Sequence, residues 1–499
     1  MGHVSALPME LSLPEHLLQP LLRASKSSNL KEALEILIAT SRIDHGRAEL
    51  ASKDILPAVV QIIQSMPYPS GHQFLTLALK LLRNLCAGEI TNQKLFIELN
   101  GPGMVSTVLK SAGLASDPDH GITRMGLQVL ANVSLAGEEH QQSIWHCFFP
   151  NEFVALAKVS SRDTLDPLCM IIYNCCDGNP SLVAELSGDQ GLPIVAEAIA
   201  IVSSELLFCQ LVLEKIGKLL LSRICLEEAH FPQLFSGLCS VGESENSEDI
   251  SSSSGNFSME QAYLLRMVSE ILNERLGEII SSIDFGLYIF GIFKRSLGVI
   301  DSSSKAKSGL PVGSAAIDVL GYSLTILRDI CAQHCKNGLG EHQMDVVDKL
   351  FSYGFLELLL SVLGDLEPPP IIKKAMKLNE GQDAAPLRSF RPCPYQGFRR
   401  DIVAVIGNCA FQRSVQDDIR QKNGILLMLQ QCVTDEDNPF LREWGIWSVR
   451  NLLEGNAENQ RAVAELELQG SVEMPELAGL GLRVEVDPNT GRAMLVNVS

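Results

Sequence analysis

The sequence predicts an all-α protein, an armadillo- or HEAT-like right-handed solenoid of helical repeats that ends in a short β-hairpin. Two observations predict the solenoid. Asparagines inside apolar helix ends recur 48, 42 and 43 residues apart, close to the period of armadillo and HEAT repeats. The segments between them carry apolar residues at helical spacing, as in LKEALEILIATSR (Leu30–Arg42). A third observation, two alternating runs around DPNTG, predicts the hairpin over 482–498.

Five short stretches share one pattern: an asparagine in an apolar helix end, a break at glycine or a polar pair, and a new helix. Their asparagines are Asn84, Asn132, Asn174, Asn408 and Asn451, and in four of them a glutamine opens the next helix, namely Gln93, Gln141, Gln416 and Gln460. Because a buried amide must bond backbone groups in the next turn or repeat, we expect the asparagines to form a structural ladder. The gap from Asn174 to Asn408 leaves room for about five further, more degenerate units.

Polar and proline-rich segments predict the domain organisation. Residues 1–366 are expected to form the repeat array, interrupted by an acidic, serine-rich insert (242–256) and a flexible insert (301–313). A Pro-rich, basic linker, 367–395, precedes a C-terminal repeat unit, 396–499, whose hairpin is expected to cap the last repeat. The basic stretches KKAMK and RSFRPCPYQGFRR would dock on the protein's own acidic surface or on a partner, and we favour the first.

Composition narrows the function classes. The 499 residues are 46% hydrophobic with a net charge of −19, so the chain can bury a core and a nucleic-acid partner is disfavoured. Protein partners, including basic segments, fit this charge better. The longest uncharged run, Ile55–Leu79, is interrupted by SMPYPSGHQ and predicts no membrane span. Thirteen scattered cysteines without a signal peptide predict a reducing compartment, hence the cytoplasm, with the nucleus left open.

Catalytic and metal motifs are absent from the sequence. It contains no P-loop, G-x-G-x-x-G after a strand, H-E-x-x-H or G-x-S-x-G, which predicts no enzyme and no cofactor. Cys331, His334, Cys335 and His342 raise the question of zinc. The two cysteines lie in an apolar helix pattern and no second pair follows at ribbon spacing, so buried core thiols are favoured over a metal site.

The candidate partner-binding residues are Trp444, Trp447 and Asn451. At 100° per residue they fall within about 60° of one another, and in some helical-repeat proteins a tryptophan and an asparagine one turn apart clamp an extended peptide. The opposite, aliphatic side of the helix carries Ile446, Val449 and Leu453, which we expect to stack on neighbouring helices.

The tryptophan is not repeated along the array. Four residues before the other asparagines stand Lys80, Gln128, Met170 and Ala404. Structural packing is therefore favoured over direct ligand contact by the asparagines. If the two tryptophans are exposed, we expect them to form a hot spot for a protein partner.

The C-terminal stretch resembles the C-terminal domain of the ataxin-10 family. The residues that carry the resemblance are IGN (Ile406–Asn408), NGILLMLQQC (Asn423–Cys432) and above all DEDNPFLREWGIWSVRNL (Asp435–Leu452). It covers Arg399–Gln460 strongly and continues weakly through RVEVDPNTG, whereas the N-terminal array shares only the repeat type and LRNLC (Leu82–Cys86). The serine-rich insert and the Gly-Leu-rich tail suggest a distant, plant member.

The resemblance implies an armadillo-like, non-enzymatic, mainly cytoplasmic protein with no catalytic residues to carry over. The family is associated with partner scaffolding, cytokinesis and cell survival. We therefore expect a cytosolic scaffold or adaptor in cell division or growth control. The alternative is an importin-like receptor that reads basic peptides in an acidic groove, which the net charge favours and the unrepeated Trp447/Asn451 pair opposes.

Overall fold

A computed structural model of the chain describes residues 29–114, 117–159, 161–204, 213–238, 257–275, 278–279, 281–302, 308–337, 346–379, 390–468, 482–486 and 493–497. The chain divides into two compact units, Met1–Leu238 and Cys239–Ser499. The all-α fold class is confirmed, because nearly all of the described elements are helices. The division at 366 and 396 stays a prediction, and the serine-rich insert, 242–256, lies outside the described residues.

The N-terminal unit is built from fourteen described helices, most of them two to four turns long. They are α1 (Asn29–Thr40), α2 (Asp44–Ser52), α3 (Ile55–Ser65), α4 (His72–Leu85), α5 (Ile90–Glu98), α6 (Gly101–Val108), α7 (His120–Ser134), α8 (Glu138–Phe148), α9 (Asn151–Val159), α10 (Arg162–Cys176), α11 (Pro180–Ser187), α12 (Leu192–Ser204), α13 (Leu213–Ser222) and α14 (Phe231–Gly237). Single π-helical turns follow α6 and α13, at Leu109–Gly113 and Arg223–Glu227.

The C-terminal unit contains helices and the predicted pair of strands. The helices are α15 (Met259–Glu274), α16 (Ile283–Ser296), α17 (Val299–Ser302), α18 (Ala315–Asn337), α19 (Val346–Ser352), α20 (Phe355–Asp365), α21 (Pro370–Asn379), α22 (Phe398–Cys409), α23 (Arg413–Gln421), α24 (Gly424–Leu429), α25 (Leu441–Leu453) and α26 (Ala457–Leu468). Strands β1 (Leu482–Val486) and β2 (Ala493–Asn497) pair antiparallel, with Val484 opposite Leu495. The hairpin is confirmed; its role as a cap stays a prediction.

One helix of each repeat stacks on its counterpart in the next repeat. In the N-terminal unit these helices are α1, α4, α7, α10 and α13, and in the C-terminal unit they are α15, α18, α22 and α25. We call them layer helices. The apolar face of α4 is an example: Leu75, Ala78, Leu79, Leu82 and Leu85 are all buried. The other helices pack behind this layer, which produces the continuous core expected of stacked repeats.

The degenerate middle of the chain holds fewer units than expected. Among the described residues between Asn174 and Asn408, three layer helices, α13, α15 and α18, continue the pattern, where the period allowed about five units. Part of the difference has a visible cause. Between α18 and α22 the chain forms α19, α20 and α21 and then passes through residues 390–397, and this excursion contributes no layer helix.

Residues around the start of α22 are held by hydrogen bonds and ion pairs within the C-terminal unit. Tyr395 is buried and donates a hydrogen bond from its hydroxyl to Asp401 Oδ2 (3.0 Å). Arg400 pairs with the same carboxylate at 2.7 Å. Arg399 is buried and donates from Nη1 to Gln431 Oε1 (3.1 Å). Tyr395, at the end of the predicted linker, therefore packs into this unit, whereas docking of the basic stretches on the protein's acidic surface stays a prediction.

The described cysteines are free thiols, most of them buried. Burial raises the pKa of the Cys169 and Cys175 thiols to about 12, which keeps them protonated and unreactive near neutral pH. Within the described ranges, no group of three or more His, Cys, Asp or Glu side chains is arranged to hold a metal ion. No described helix is both long and apolar enough to cross a membrane.

Candidate protein-interaction surface

Three of the five asparagines make the same contact with the preceding layer helix. Each donates its side-chain amide to the carbonyl of the residue just before the equivalent position one repeat earlier. The bonds are Asn132 Nδ2 to Arg83 O (2.9 Å), Asn408 Nδ2 to Arg328 O (3.2 Å) and Asn451 Nδ2 to Gly407 O (3.1 Å). These donors are committed to the protein's own backbone.

The other two asparagines reach the preceding repeat through a serine. Asn84 Nδ2 donates to Ser41 Oγ (3.0 Å), and Asn174 Nδ2 donates to Ser134 Oγ (2.8 Å). Each serine hydroxyl in turn donates to a backbone carbonyl of the preceding layer helix, Ser41 to Ile38 O on α1 and Ser134 to Ala131 O on α7. All five amides therefore join consecutive layer helices within their units.

The glutamines noted in the sequence complete this arrangement. Gln93 Nε2 donates to Cys86 O and to Asn132 O, both at 2.9 Å. Gln416 Nε2 donates to Asn451 O (2.8 Å) and to Glu454 O (3.2 Å). In these two repeats the asparagine therefore bonds the preceding repeat, and the glutamine bonds the following one. Gln141 and Gln460 bond the end of their own layer helix, at Ser134 O and Leu453 O.

A sixth ladder position was missed by the sequence analysis because it is occupied by aspartate. Asn408 donates to Arg328 O, which identifies Asp329 as the residue equivalent to the asparagines. The signal was present in the sequence, since LRDIC (Leu327–Cys331) matches LRNLC (Leu82–Cys86). Asp329 is 5% exposed, and its Oδ2 lacks a hydrogen-bond partner among the described residues. An aspartate at this position lacks the donor that the amides supply.

We expect Asp329→Asn to raise the free energy of unfolding by about 1 kcal/mol at pH 7, because it replaces a buried, half-satisfied carboxylate. Burial raises the pKa of Asp329, against the lowering effect of Arg328. A raised pKa lets the folded state bind a proton that the unfolded state has released. The penalty is therefore present above the folded pKa and is lost as the pH falls toward about 3.9. Urea denaturation at several pH values measures whether the gain shrinks in acid as expected.

Asp318, on the same helix, is the matched control. Its Oδ1 accepts from Val312 N (2.6 Å) and its Oδ2 from Gly313 N (3.1 Å), so both oxygens are needed. We expect Asp318→Asn to destabilise the protein. A stabilising effect at Asp318, or a destabilising effect of Asp329→Asn at neutral pH, would contradict this account.

Helix α25 buries a different face from the one its aliphatic residues predicted. Ile446 is 51% exposed, and Val449 and Leu453 are only half-buried. The buried side is Leu441, Gly445, Ser448 and Leu452. Small residues decide this, because they let α25 approach its neighbours closely: a Cβ on Gly445 would lie 2.4 Å from Gln431 O. The positions of the large side chains around the helix axis did not predict that contact.

The two tryptophans lie together on the outer side of α25. Their rings meet edge to face, with centroids 5.4 Å apart and planes at 87°. Trp447 is 37% exposed and Trp444 is half-buried. Trp447 also reaches the preceding layer helix, since a Cβ on Gly407 would lie 3.2 Å from its Cε3. The pair thus combines a fixed inner edge with an accessible outer surface.

A third aromatic residue, not identified from the sequence, stands at the start of the same helix. Phe440 is 68% exposed and has φ 64° and ψ 15°. This left-handed conformation costs a bulky residue roughly 1–2 kcal/mol. Gly397, which precedes α22 in the same way, also has a positive φ of 101°. The protein therefore holds an exposed phenylalanine where glycine would be less strained, a feature associated with functional sites.

The loop before Phe440 is fixed by side-chain and backbone hydrogen bonds. Asn438 is buried; its Nδ2 donates to Asp435 Oδ2 (2.9 Å) and its Oδ1 accepts from Arg399 N (3.0 Å). Asp437 O accepts from Gly397 N (2.9 Å). Because these bonds fix the loop DEDNPF on residues 397–399, Phe440 is preorganised. We call Phe440, Trp444 and Trp447 the aromatic surface.

In the N-terminal unit, the positions one turn before the asparagines carry no tryptophan. Gln128 and Met170 line an open groove of about 490 Å3 between α7 and α10, beside Asn132. Its charged lining is of both signs, Arg83 and Arg124 with Asp163 and Asp166. This groove is therefore not the acidic one that an importin-like reader of basic peptides requires.

Comparison with protein families assigns the C-terminal region. Residues 398–496, which include α22 to α26 and the hairpin, match the model described as the spinocerebellar ataxia type 10 protein domain. Ataxin-10 of Xenopus tropicalis is 22% identical over 441 residues, covering 84% of this chain and 80% of that protein. The Ataxin-10 homolog of Dictyostelium discoideum is 38% identical over 95 residues, 19% of this chain and 16% of its own length. Human Ataxin-10 is 38% identical over 90 residues, 18% of this chain and 19% of its own length.

Solved structures with a similar arrangement include two engineered proteins. A designed armadillo repeat protein, YIII(Dq)4CqI, has a TM-score of 0.33 and 16% identity, covering 53% of this chain and all of its own. An engineered protein, target OR497, has a TM-score of 0.34 and 13% identity, covering 88% of this chain and 98% of its own.

Proposed function

We propose that the chain is a member of the ataxin-10 family, whose domain model matches residues 398–496, and that it is a non-enzymatic scaffold that binds protein partners on its helical-repeat surface. The aromatic surface of α25 is the contact region that we assign to a partner. Stacked repeats suit this role because they hold side chains in fixed register along an extended wall.

One observation carries the proposal: an exposed phenylalanine is held in a strained conformation beside two partly exposed tryptophans. Phe440 is 68% exposed and Trp447 is 37% exposed, so both rings leave area accessible to a partner. Trp and other aromatic anchors in preorganised positions dominate the energy of protein interfaces. The fixed loop before Phe440 lowers the entropy that a partner would lose on binding. Asp54, Asn100 and Asn423 also have a positive φ at the start of a helix, but their side chains are small and polar, whereas Phe440 is a large, exposed aromatic residue.

The importin-like alternative is less well supported. A peptide reader needs the asparagine amide for the peptide backbone, whereas Asn451 Nδ2 already donates to Gly407 O. The same holds for Asn132 and Asn408, whose amides bond backbone carbonyls within their own units. The pairing of Trp447 with Asn451 therefore contributes packing and an apolar surface and not a repeated clamp.

The cellular setting of the proposal rests on the family association. We propose a cytoplasmic protein acting in cytokinesis, cell division or the control of growth and survival. The net charge of −19 favours partners that present basic segments near their apolar contact, since opposite charge accelerates association.

Replacing residues of the aromatic surface tests the proposal. Phe440→Gly removes the ring and also relieves the left-handed strain, so we expect the melting temperature to stay the same or rise slightly. Trp447→Ala removes the accessible ring of the pair. For a partner isolated with the intact chain, each change should weaken binding by about 2 kcal/mol, roughly 30-fold in Kd.

Site-specific photocrosslinking identifies that partner. A photoreactive benzoylphenylalanine at position 440 should crosslink specific proteins in dividing cells, and Phe440→Gly should lose them in affinity capture. Ile36, 60% exposed on α1 in the N-terminal unit, is the control position for both the crosslinker and an Ile36→Ser variant. If positions 440 and 36 crosslink the same proteins, or if folded Phe440→Gly and Trp447→Ala retain every partner, the aromatic surface is not the contact.

A further inference from the structure

A pocket of about 440 Å3 opens in the N-terminal unit, between the C-terminal ends of α8 and α11. Two short segments provide its lining: Trp145, His146, Phe149 and Pro150 on one side, and Glu185, Gly188, Asp189 and Gln190 on the other. Neither α8 nor α11 is a layer helix. The pocket is therefore separate from the groove beside Asn132, and it is not part of the aromatic surface in the C-terminal unit.

Aromatic rings form one wall of the pocket and are held rigidly. Trp145 is 2% exposed and stacks on Phe149, with centroids 4.6 Å apart and planes at 12°. Phe153 meets Trp145 edge to face at 5.8 Å. Because Trp145 is fixed from both sides, it holds the half-buried ring of Phe149 in place at the pocket.

Carboxylates form the opposite wall. Trp145 Nε1 donates to Glu185 Oε2 at 2.9 Å, which orients that carboxylate toward the aromatic residues. Neither Glu185 nor Asp189 forms an ion pair with a described residue, and no lysine or arginine lines the pocket. The negative charge of this site is therefore uncompensated by a permanent cation in its lining.

From this arrangement we infer that the pocket binds the cationic side chain of an arginine or lysine presented by a basic segment of another protein. Its alkyl stem would pack on Phe149 and Pro150 while its charged end meets Glu185 and Asp189, as long cationic side chains do at apolar surfaces. The ring of Phe149 adds a cation–π attraction to the charged group. The volume lies within the range of small-ligand sites.

Short blocked peptides test this inference on the full chain. The probes are Gly-Arg-Gly, Gly-Lys-Gly and Gly-citrulline-Gly, where citrulline keeps the shape of arginine without its charge. Saturation-transfer NMR, which detects weak binding, gives the affinities. We expect the arginine and lysine peptides to bind, and the citrulline peptide to bind about fivefold more weakly, the size of a partly solvated ion pair.

Glu185→Gln is the decisive variant, because glutamine keeps an oxygen for Trp145 Nε1 and removes only the charge. We expect it to weaken binding of the arginine peptide by about fivefold, with Asp189→Asn acting in the same direction. Glu139→Gln, on the exposed first turn of α8, is the matched control and should change nothing. Melting temperatures of all variants should equal that of the unchanged chain.

Three results would overturn the inference: no binding of the cationic peptides, equal binding of arginine and citrulline, or unchanged binding by Glu185→Gln. The result is independent of the proposed function, because Phe440→Gly leaves this pocket intact and should bind the arginine peptide normally. Loss of partners at Phe440 with no peptide binding here would reject the pocket alone.

Discussion

Gly445→Ala is expected to destabilise the C-terminal unit by about 3 kcal/mol, the upper part of the range for overpacking. The added Cβ would lie 2.4 Å from Gln431 O and 2.7 Å from Gln431 C. Both atoms belong to the backbone and cannot rotate away. Moving that backbone would also displace Gln431 Oε1, which accepts from Arg399 Nη1, and Arg399 is buried, so the lost bond is not replaced by water.

Gly291→Ala is the matched control for this prediction. Gly291 also lies inside a helix of the C-terminal unit, α16, but an added Cβ there meets nothing within 4 Å. Because alanine favours the helix over glycine by about 0.5–1 kcal/mol, we expect this variant to be more stable than the original chain. Urea denaturation of both variants gives the two signs. If Gly445→Ala is neutral, α25 does not approach residue 431 as closely as described.

Gln416→Leu should cost about 3 kcal/mol, because it removes three hydrogen bonds of a buried side chain with little change in volume. Gln416 Nε2 donates to Asn451 O and Glu454 O, and its Oε1 accepts from Asn456 Nδ2 (3.0 Å). Leucine would leave two carbonyls and one amide without these partners. Since the bonds join α23 to α25 and to the start of α26, the loss should appear as lower stability of the whole C-terminal unit.

Gln460→Leu separates the ladder from general effects of glutamine replacement. Gln460 occupies the corresponding position in the next repeat, but it is exposed, and among the described residues its side chain bonds Leu453 O alone (2.8 Å). We expect it to cost less than about 1 kcal/mol. Equal losses at 416 and 460, measured by chemical denaturation, would show that the contacts between repeats add nothing.

The repeat could be predicted from the sequence because each of its asparagines lies in an apolar environment where its amide needs a hydrogen-bond partner. An amide in an apolar helix end must find a backbone partner, so its recurrence marks the layer helices. Asp329 escaped that reasoning because a carboxylate at the same position looks like an ordinary surface charge. The bond from Asn408 to Arg328 O shows that Asp329 lies in the same series.

The candidate surface was predicted only in part, for a different physical reason. Trp444 and Trp447 were found from their spacing, and they do lie together. The prediction of which side of α25 is buried was wrong, because Gly445 and Ser448 permit a close approach of the backbone that the pattern of hydrophobic residues does not reveal. Phe440 was missed because its positive φ depends on the hydrogen bonds that Asn438 makes with Asp435 and Arg399. The sequence pattern does not reveal either bond.

The buried thiols described above can be used to measure local unfolding of individual repeats. Cys86, Cys175, Cys331 and Cys409 each follow a ladder position by one or two residues, Cys86 directly after the end of α4 and the others within α10, α18 and α22, and all four are buried. A thiol-reactive reagent can reach them only when the helix that carries them separates from its neighbours. The alkylation rate at each cysteine, read by mass spectrometry, therefore gives the opening frequency of one repeat at a time, without any engineered label.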